Sequence, residues 1–104
     1  MNSKKKKALI VSLIKDDCIN SKLTRALNNA GLDCDTYCLF LSGTIFELMG
    51  FKWDEKDEET YHEYIQLTKR SDCISIKDTP NTLDGLAKEI YKFLERKKSE
   101  KDEK

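Results

Sequence analysis

Apolar residues in this chain fall into short blocks separated by charged stretches, and the spacing within each block changes along the chain. The first block, Ala8 to Ile14, is interrupted only by Ser12 and is rich in β-branched residues. A run that is apolar on both faces predicts a strand covered on both sides, as in a parallel sheet. Asp16, Asp17 or Asn20 can cap a helix after it. Ile19, Leu23, Ala26, Leu27 and Ala30 then recur at helical spacing and predict a buried stripe, with Gly31 at the left-handed C-terminal position.

Cys34 to Leu41 alternates in part, which predicts a second strand nearer a sheet edge, and Ser42-Gly43 reads as a turn. Thr44 and Glu47 match a capping box, predicting a short helix through Met49 that ends at Gly50. The competing reading pairs residues 44–51 as a hairpin with the second strand. Acids at 54–59 (DEKDEE) suit a helix N-terminus. The helix that follows buries Tyr61, Tyr64, Ile65 and Thr68 and ends in Lys69 and Arg70. Cys73 to Lys77 predicts a short third strand. Thr79-Pro80 opens the last helix, with Leu83, Leu86, Ala87, Ile90 and Leu94 as its stripe.

These elements predict an α/β fold: a small three-layer βαβαβα domain with a parallel three-stranded sheet in the order 2-1-3, flavodoxin-like. The hairpin alternative gives a ferredoxin-like α+β domain. One domain over 7–96 is expected, with a disordered basic tail at 1–6 and a charged, frayed C-terminus at 97–104.

Composition narrows the function classes. The chain has 104 residues, 19 basic and 19 acidic, for a formal net charge of zero. That balance gives no reason to expect nucleic acid, and the Lys4–Lys7 run reads as a solvated tail. No apolar run approaches the roughly 20 residues of a membrane helix, and Lys15-Asp16-Asp17 follows the first block where a leader peptide would have small residues. A cytoplasmic location is expected, with Cys18, Cys34, Cys38 and Cys73 reduced. Cys34 and Cys38, on one strand face, would sit roughly 13 Å apart, too far for a disulfide. With no C-x-x-C pair and a single His62, zinc is not expected.

In such a sheet, ligands bind beyond the carboxyl ends of the strands. The loops there would carry Asp16, Asp17 and Cys18, then Ser42 and Thr44, then Asp78 and Thr79. Each carboxylate has a simpler role as a helix cap. Together Asp16, Asp17 and Asp78 could hold Mg²⁺, the one cofactor this chain suggests. No glycine-rich phosphate loop is present. Cys18 opens a C-x-x-S sequence at an expected helix start, where a thiolate is stabilised, but Asp16 and Asp17 oppose its ionisation. His62 lies off the apolar stripe and reads as solvated. Trp53, Phe51 and Phe46 suggest a satellite aromatic cluster or, if exposed, a partner-binding patch.

Ala8-Leu9-Ile10-Val11, Asp16-Asp17, Ala30-Gly31-Leu32 and Leu83-Asp84-Gly85-Leu86 resemble the receiver domains of two-component signalling. That resemblance implies Mg²⁺ at Asp16 and Asp17 and a phosphate acceptor at Asp78. The chain has no match to the later receiver strands and lysine. Arg70-Ser71-Asp72-Cys73-Ile74-Ser75-Ile76 with Glu89 downstream is similar to TIR-like domains, which implies action on NAD through Glu89. The function expected overall is a protein-interaction or regulatory domain without evident catalysis. The alternatives are a small metal-dependent or NAD-processing enzyme, or a thiol switch at Cys18. Open sheet edges would favour a protein partner or self-association.

Overall fold

The computed structural model describes residues 2–32, 35–52, 55–74 and 79–102, and among these residues it contains no strand. The described residues form four α-helices and one 3₁₀ turn: α1 (Ser3–Asn29), α2 (Asp35–Met49), α3 (Glu55–Thr68), the 3₁₀ segment Lys69–Cys73, and α4 (Thr79–Asp102). The α/β flavodoxin-like expectation is therefore corrected to a small all-helical bundle, and the ferredoxin-like alternative falls with it.

The physical reason lies in what separates the blocks. A seven-residue apolar run does not by itself distinguish a strand from a buried helix face. Between Asn2 and Ala30 there is no Gly or Pro, and Lys15-Asp16-Asp17 does not stop a helix. The strand expected over 8–14 and the helix expected after it are thus one 27-residue helix, about 40 Å long. Asn2 caps it, its side-chain oxygen accepting from the Lys5 amide at 2.8 Å. In the same way the expected strand 34–41 becomes part of α2 from Asp35 onward. Gly43 is carried inside that helix at a cost of roughly 1 kcal/mol relative to Ala instead of making a turn. Cys73 closes the 3₁₀ segment and Ile74 is extended, but residues 75–77 of the expected third strand lie outside the described residues.

Two helix ends are set by glycine. Gly31 (φ 91°) and Gly50 (φ 89°) occupy the left-handed region. At each, the two backbone bonds of a Schellman ending are formed. Leu32 donates to the Leu27 carbonyl at 2.9 Å and Gly31 to Asn28 at 3.0 Å; Phe51 donates to Phe46 at 2.9 Å and Gly50 to Glu47 at 3.0 Å. The second ending also carries the apolar contact that accompanies this motif, with the Phe46 and Phe51 rings 5.2 Å apart. The expected stop at Gly50 is correct. Thr44, however, lies within α2 and donates to the Phe40 carbonyl at 3.0 Å, so it caps nothing.

α1 is the central element and packs against α2, α3, α4 and the 3₁₀ segment. It runs antiparallel to α4: Lys15 meets Asp84 near one end, Lys7 lies over the Tyr91 ring in the middle, and Ser3 and Ser99 line one cavity at the other end. The core joins Ile10, Val11, Ile14 and Cys18 of α1 to Ile45 and Phe46 of α2, Tyr64 of α3 and Leu86, Ala87, Ile90 and Leu94 of α4. Tyr61 and Tyr64 pack edge-on to Phe46. Trp53 lies outside the described residues. Among those residues no helix is long and apolar enough to cross a membrane.

Alanine at Gly31 is expected to cost about 1 kcal/mol through its left-handed backbone alone. At Gly50 the loss should be similar, because the Lys98 Cε that a Cβ there meets at 3.2 Å lies near the end of a flexible side chain that can move aside. Urea unfolding measures both; native-like stability in either variant would refute the left-handed ending at that position.

Candidate functional site

Two features of α1 stand out, one facing the core and one facing away from it. The inward face is completed by a carboxyl group. Asp17 follows Ile10 and Ile14 at helical spacing and is fully buried. Its Oδ2 accepts a hydrogen bond from Ser42 Oγ of α2 at 3.1 Å and another from the Tyr64 hydroxyl of α3. Ser21, one turn along α1, lies close to the same carboxyl. A single carboxyl oxygen thus ties three helices together, while Oδ1 is buried with no hydrogen-bond partner among the described residues.

Burial raises the Asp17 pKa above its ordinary 3.8, against the opposing pull of Tyr64, Ser42, Ser21 and Arg25. The same burial, reinforced by Asp17, drives the Tyr64 hydroxyl well above its usual value. Burial and the neighbouring Asp17 carboxylate push the Cys18 thiol up to about 12. A thiol in that setting stays protonated and has little nucleophilic character.

The candidate crevice residues separate as follows. Asp17 and Ser42 are brought into direct contact, and Cys18 lies beside them, all three inside the bundle. Asp16 points to solvent, since adjacent helical residues diverge by about 100°. Thr44 bonds within its own helix, Thr79 opens α4, and Asp78 lies outside the described residues. Among the described residues no group of three or more His, Cys, Asp or Glu side chains gathers closely enough to hold a metal ion. His62 is exposed, with Glu58 at 3.9 Å. Glu89 accepts from Arg70 at 2.7 Å on the surface. Of the positions that carried the likeness to receiver and TIR-like domains, residues 8–11, Asp16, Asp17, residues 83–86 and Glu89 are α-helical, residues 30–32 form the turn that ends α1, and residues 70–73 belong to the 3₁₀ segment, with Ile74 extended after it.

Sequence reasoning misses Tyr64 as part of this cluster. A buried tyrosine hydroxyl requires a partner, and with α1 drawn as a helix Asp17 falls on the inward face that α3 covers.

The outward face of α1 carries the second feature. Ile19, Leu23, Ala26 and Ala30, expected to be buried, are exposed: Ile19 by 48% and Leu23 by 55%. Their common face lies roughly 150° around the helix from the centre of the buried arc. No residue of α1 after Ser21 is fully buried. Two side chains tie this end to the segment after α3: Arg25 grips Asp72 through two bonds of 2.9 and 2.6 Å, and Lys22 donates to the Ile74 carbonyl at 3.1 Å. Where the stripe begins, a cavity of about 150 Å³ opens between Cys18, Ile19 and Lys22 of α1 and Ser71, Ile74 and Leu83.

No protein-family model, characterised protein or solved structure matches the chain.

The Asp17 knot has a defined pH signature. A carboxyl whose folded pKa is raised contributes stability that is complete below its unfolded value, near 3.8, and is lost as pH rises through the folded value. Asp17→Asn keeps an acceptor for Ser42 and Tyr64 and cannot ionise. It is expected to be more stable than the native chain at about pH 8, with the difference shrinking toward about pH 4. Asp17→Ala leaves two buried hydroxyls unpaired and should cost about 2–4 kcal/mol. Urea unfolding across this range measures both, and a pH-independent difference for Asp17→Asn would refute the raised pKa.

Proposed function

We propose that the chain is a non-catalytic protein-interaction domain whose docking face is the outward apolar stripe of α1. The observation that carries this reading is the placement of Ile19, Leu23, Ala26 and Ala30 in one exposed row on a helix whose opposite side already fills the core. Single exposed apolar residues are ordinary, but a row on one helix face is a feature of binding surfaces. A partner helix reads such a row through residues at i, i+3, i+4 and i+7. The cavity at the Ile19 end offers a place for one anchoring side chain, the arrangement in which interface energy concentrates. The clamp of Arg25 on Asp72 and of Lys22 on Ile74 keeps the row presented.

The burial of the polar cluster supports the same reading. Asp17, Ser42 and Tyr64 spend their hydrogen bonds on one another inside the core, and their role there is to hold helices together.

Two measurements test the proposal. Ile19→Ser with Leu23→Ser should change the unfolding free energy by no more than about 0.5 kcal/mol per site, as surface substitutions do. Ile14→Val, in the core, should cost about 0.5–1.5 kcal/mol. A photo-crosslinking residue at position 23 should then give a discrete adduct in cells that is absent when the probe sits at exposed Gln66 and is lost with Ile19→Asp. Equal labelling at both positions, or none at position 23, sinks the assignment.

A further inference from the structure

We propose that a second face, the groove between the N-terminal half of α1 and the start of α4, binds an acidic peptide segment with carboxylates at both ends and an apolar residue between them. The proposal rests on the reading of this chain as an interaction domain and names the chemistry of a partner segment.

The groove has a volume of about 320 Å³, and among the described residues its walls carry Lys4, Lys7 and Lys15 from α1 and Lys88 from α4 against one acid, Asp84. Four ammonium groups against one carboxylate concentrate positive charge on a chain whose formal net charge is zero. Clefts lined by one sign of charge draw in the opposite sign. Ala8 and Val11 contribute apolar surface between the lysines, which suits an apolar side chain in the middle of the ligand.

Length decides between ligand classes. Lys4 and Lys15 are eleven residues apart on one helix, a separation of about 16 Å. A single phosphate group reaches only one end of that span. Five residues of extended peptide cover it, at about 3.3 Å each. Asp84 shows what these lysines hold: its carboxylate lies 2.9 Å from Lys88 Nζ and 3.8 Å from Lys15 Nζ. Ammonium groups placed to meet a carboxylate of their own chain can meet one from another. Asp84 also sets a repulsive mark in the wall, which a continuous phosphate backbone would have to pass. These points favour a carboxylate peptide over a nucleic acid.

The test uses the full ¹⁵N-labelled chain and a capped Glu-Asp-Leu-Asp-Glu peptide, titrated to millimolar concentration. Amide shifts should cluster at residues 4–15 and 84–88 and weaken with added salt. Lys4→Gln with Lys88→Gln should weaken binding by about fivefold, from the usual worth of exposed charge contacts. Lys52→Gln with Lys69→Gln, which changes the net charge equally at a distance, should weaken it by less than about twofold. Asp84→Asn removes the competing carboxylate and should tighten binding. The proposal is overturned by absence of shifts in the groove, by equal losses in the two lysine pairs, by weaker binding in Asp84→Asn, or by an uncharged Gln-Asn-Leu-Asn-Gln peptide binding as well. Tighter binding of a single-stranded oligothymidylate of equal charge overturns it in favour of nucleic acid. Shifts in the groove and the crosslink at position 23 report different surfaces, so this proposal and the stripe reading can fail separately.

Discussion

Ile10, Ile14 and Cys18 follow one another a turn apart along the inward side of α1, and the rest of the molecule is arranged around that row. All three are essentially inaccessible to water. α2 and α4 cover the row from different sides, and neither could bury its own apolar stripe without it. In a chain of this size the core has little redundancy, because a small domain buries a smaller share of its surface than a large one. Continuity of α1 through Lys15-Asp16-Asp17 is therefore the constraint on which the fold rests. A break there would divide the row between two elements.

Asp17 adds selectivity to that apolar row. Hydrophobic contacts between helices tolerate sliding and rotation, whereas a buried carboxyl accepting from Ser42 and Tyr64 is satisfied in one arrangement of α1, α2 and α3. Desolvation of the acid counts against stability. The knot is accordingly a device for choosing one packing over neighbouring ones, and Oδ1, without a partner among the described residues, marks where the satisfaction is incomplete.

How much of this was legible follows from how local each signal is. The ends of α1 and α2 at Gly31 and Gly50, the acidic start of α3 and the start of α4 at Thr79 depend on a few adjacent residues, and those were readable. The strands expected over 8–14 and 34–41 rested on apolar blocks whose periodicity is ambiguous at that length, and the absence of a breaker after Ile14 was the better guide. The strand pattern places Asp17 and Ser42 together as loop residues of a crevice. They do meet, but through the packing of α1 on α2, which no local pattern encodes. The stripe from Ile19 to Ala30 was recognisable as a stripe. Which way it faces depends on the phase of the helix relative to Ile10 and Ile14, and a strand over 8–14 carries no such phase.

The antiparallel pairing of α1 with α4 has a consequence for how the fold is made. Ile14 and Ile90 belong to one core, yet about 75 residues of chain lie between them. During synthesis the inward face of α1 exists long before its cover does. Through that interval α1 exposes apolar surface on two sides, the row that α4 later seals and the stripe that nothing within the described bundle seals. A nascent chain in this state is adhesive on both flanks, and completion of α4 removes only one of them.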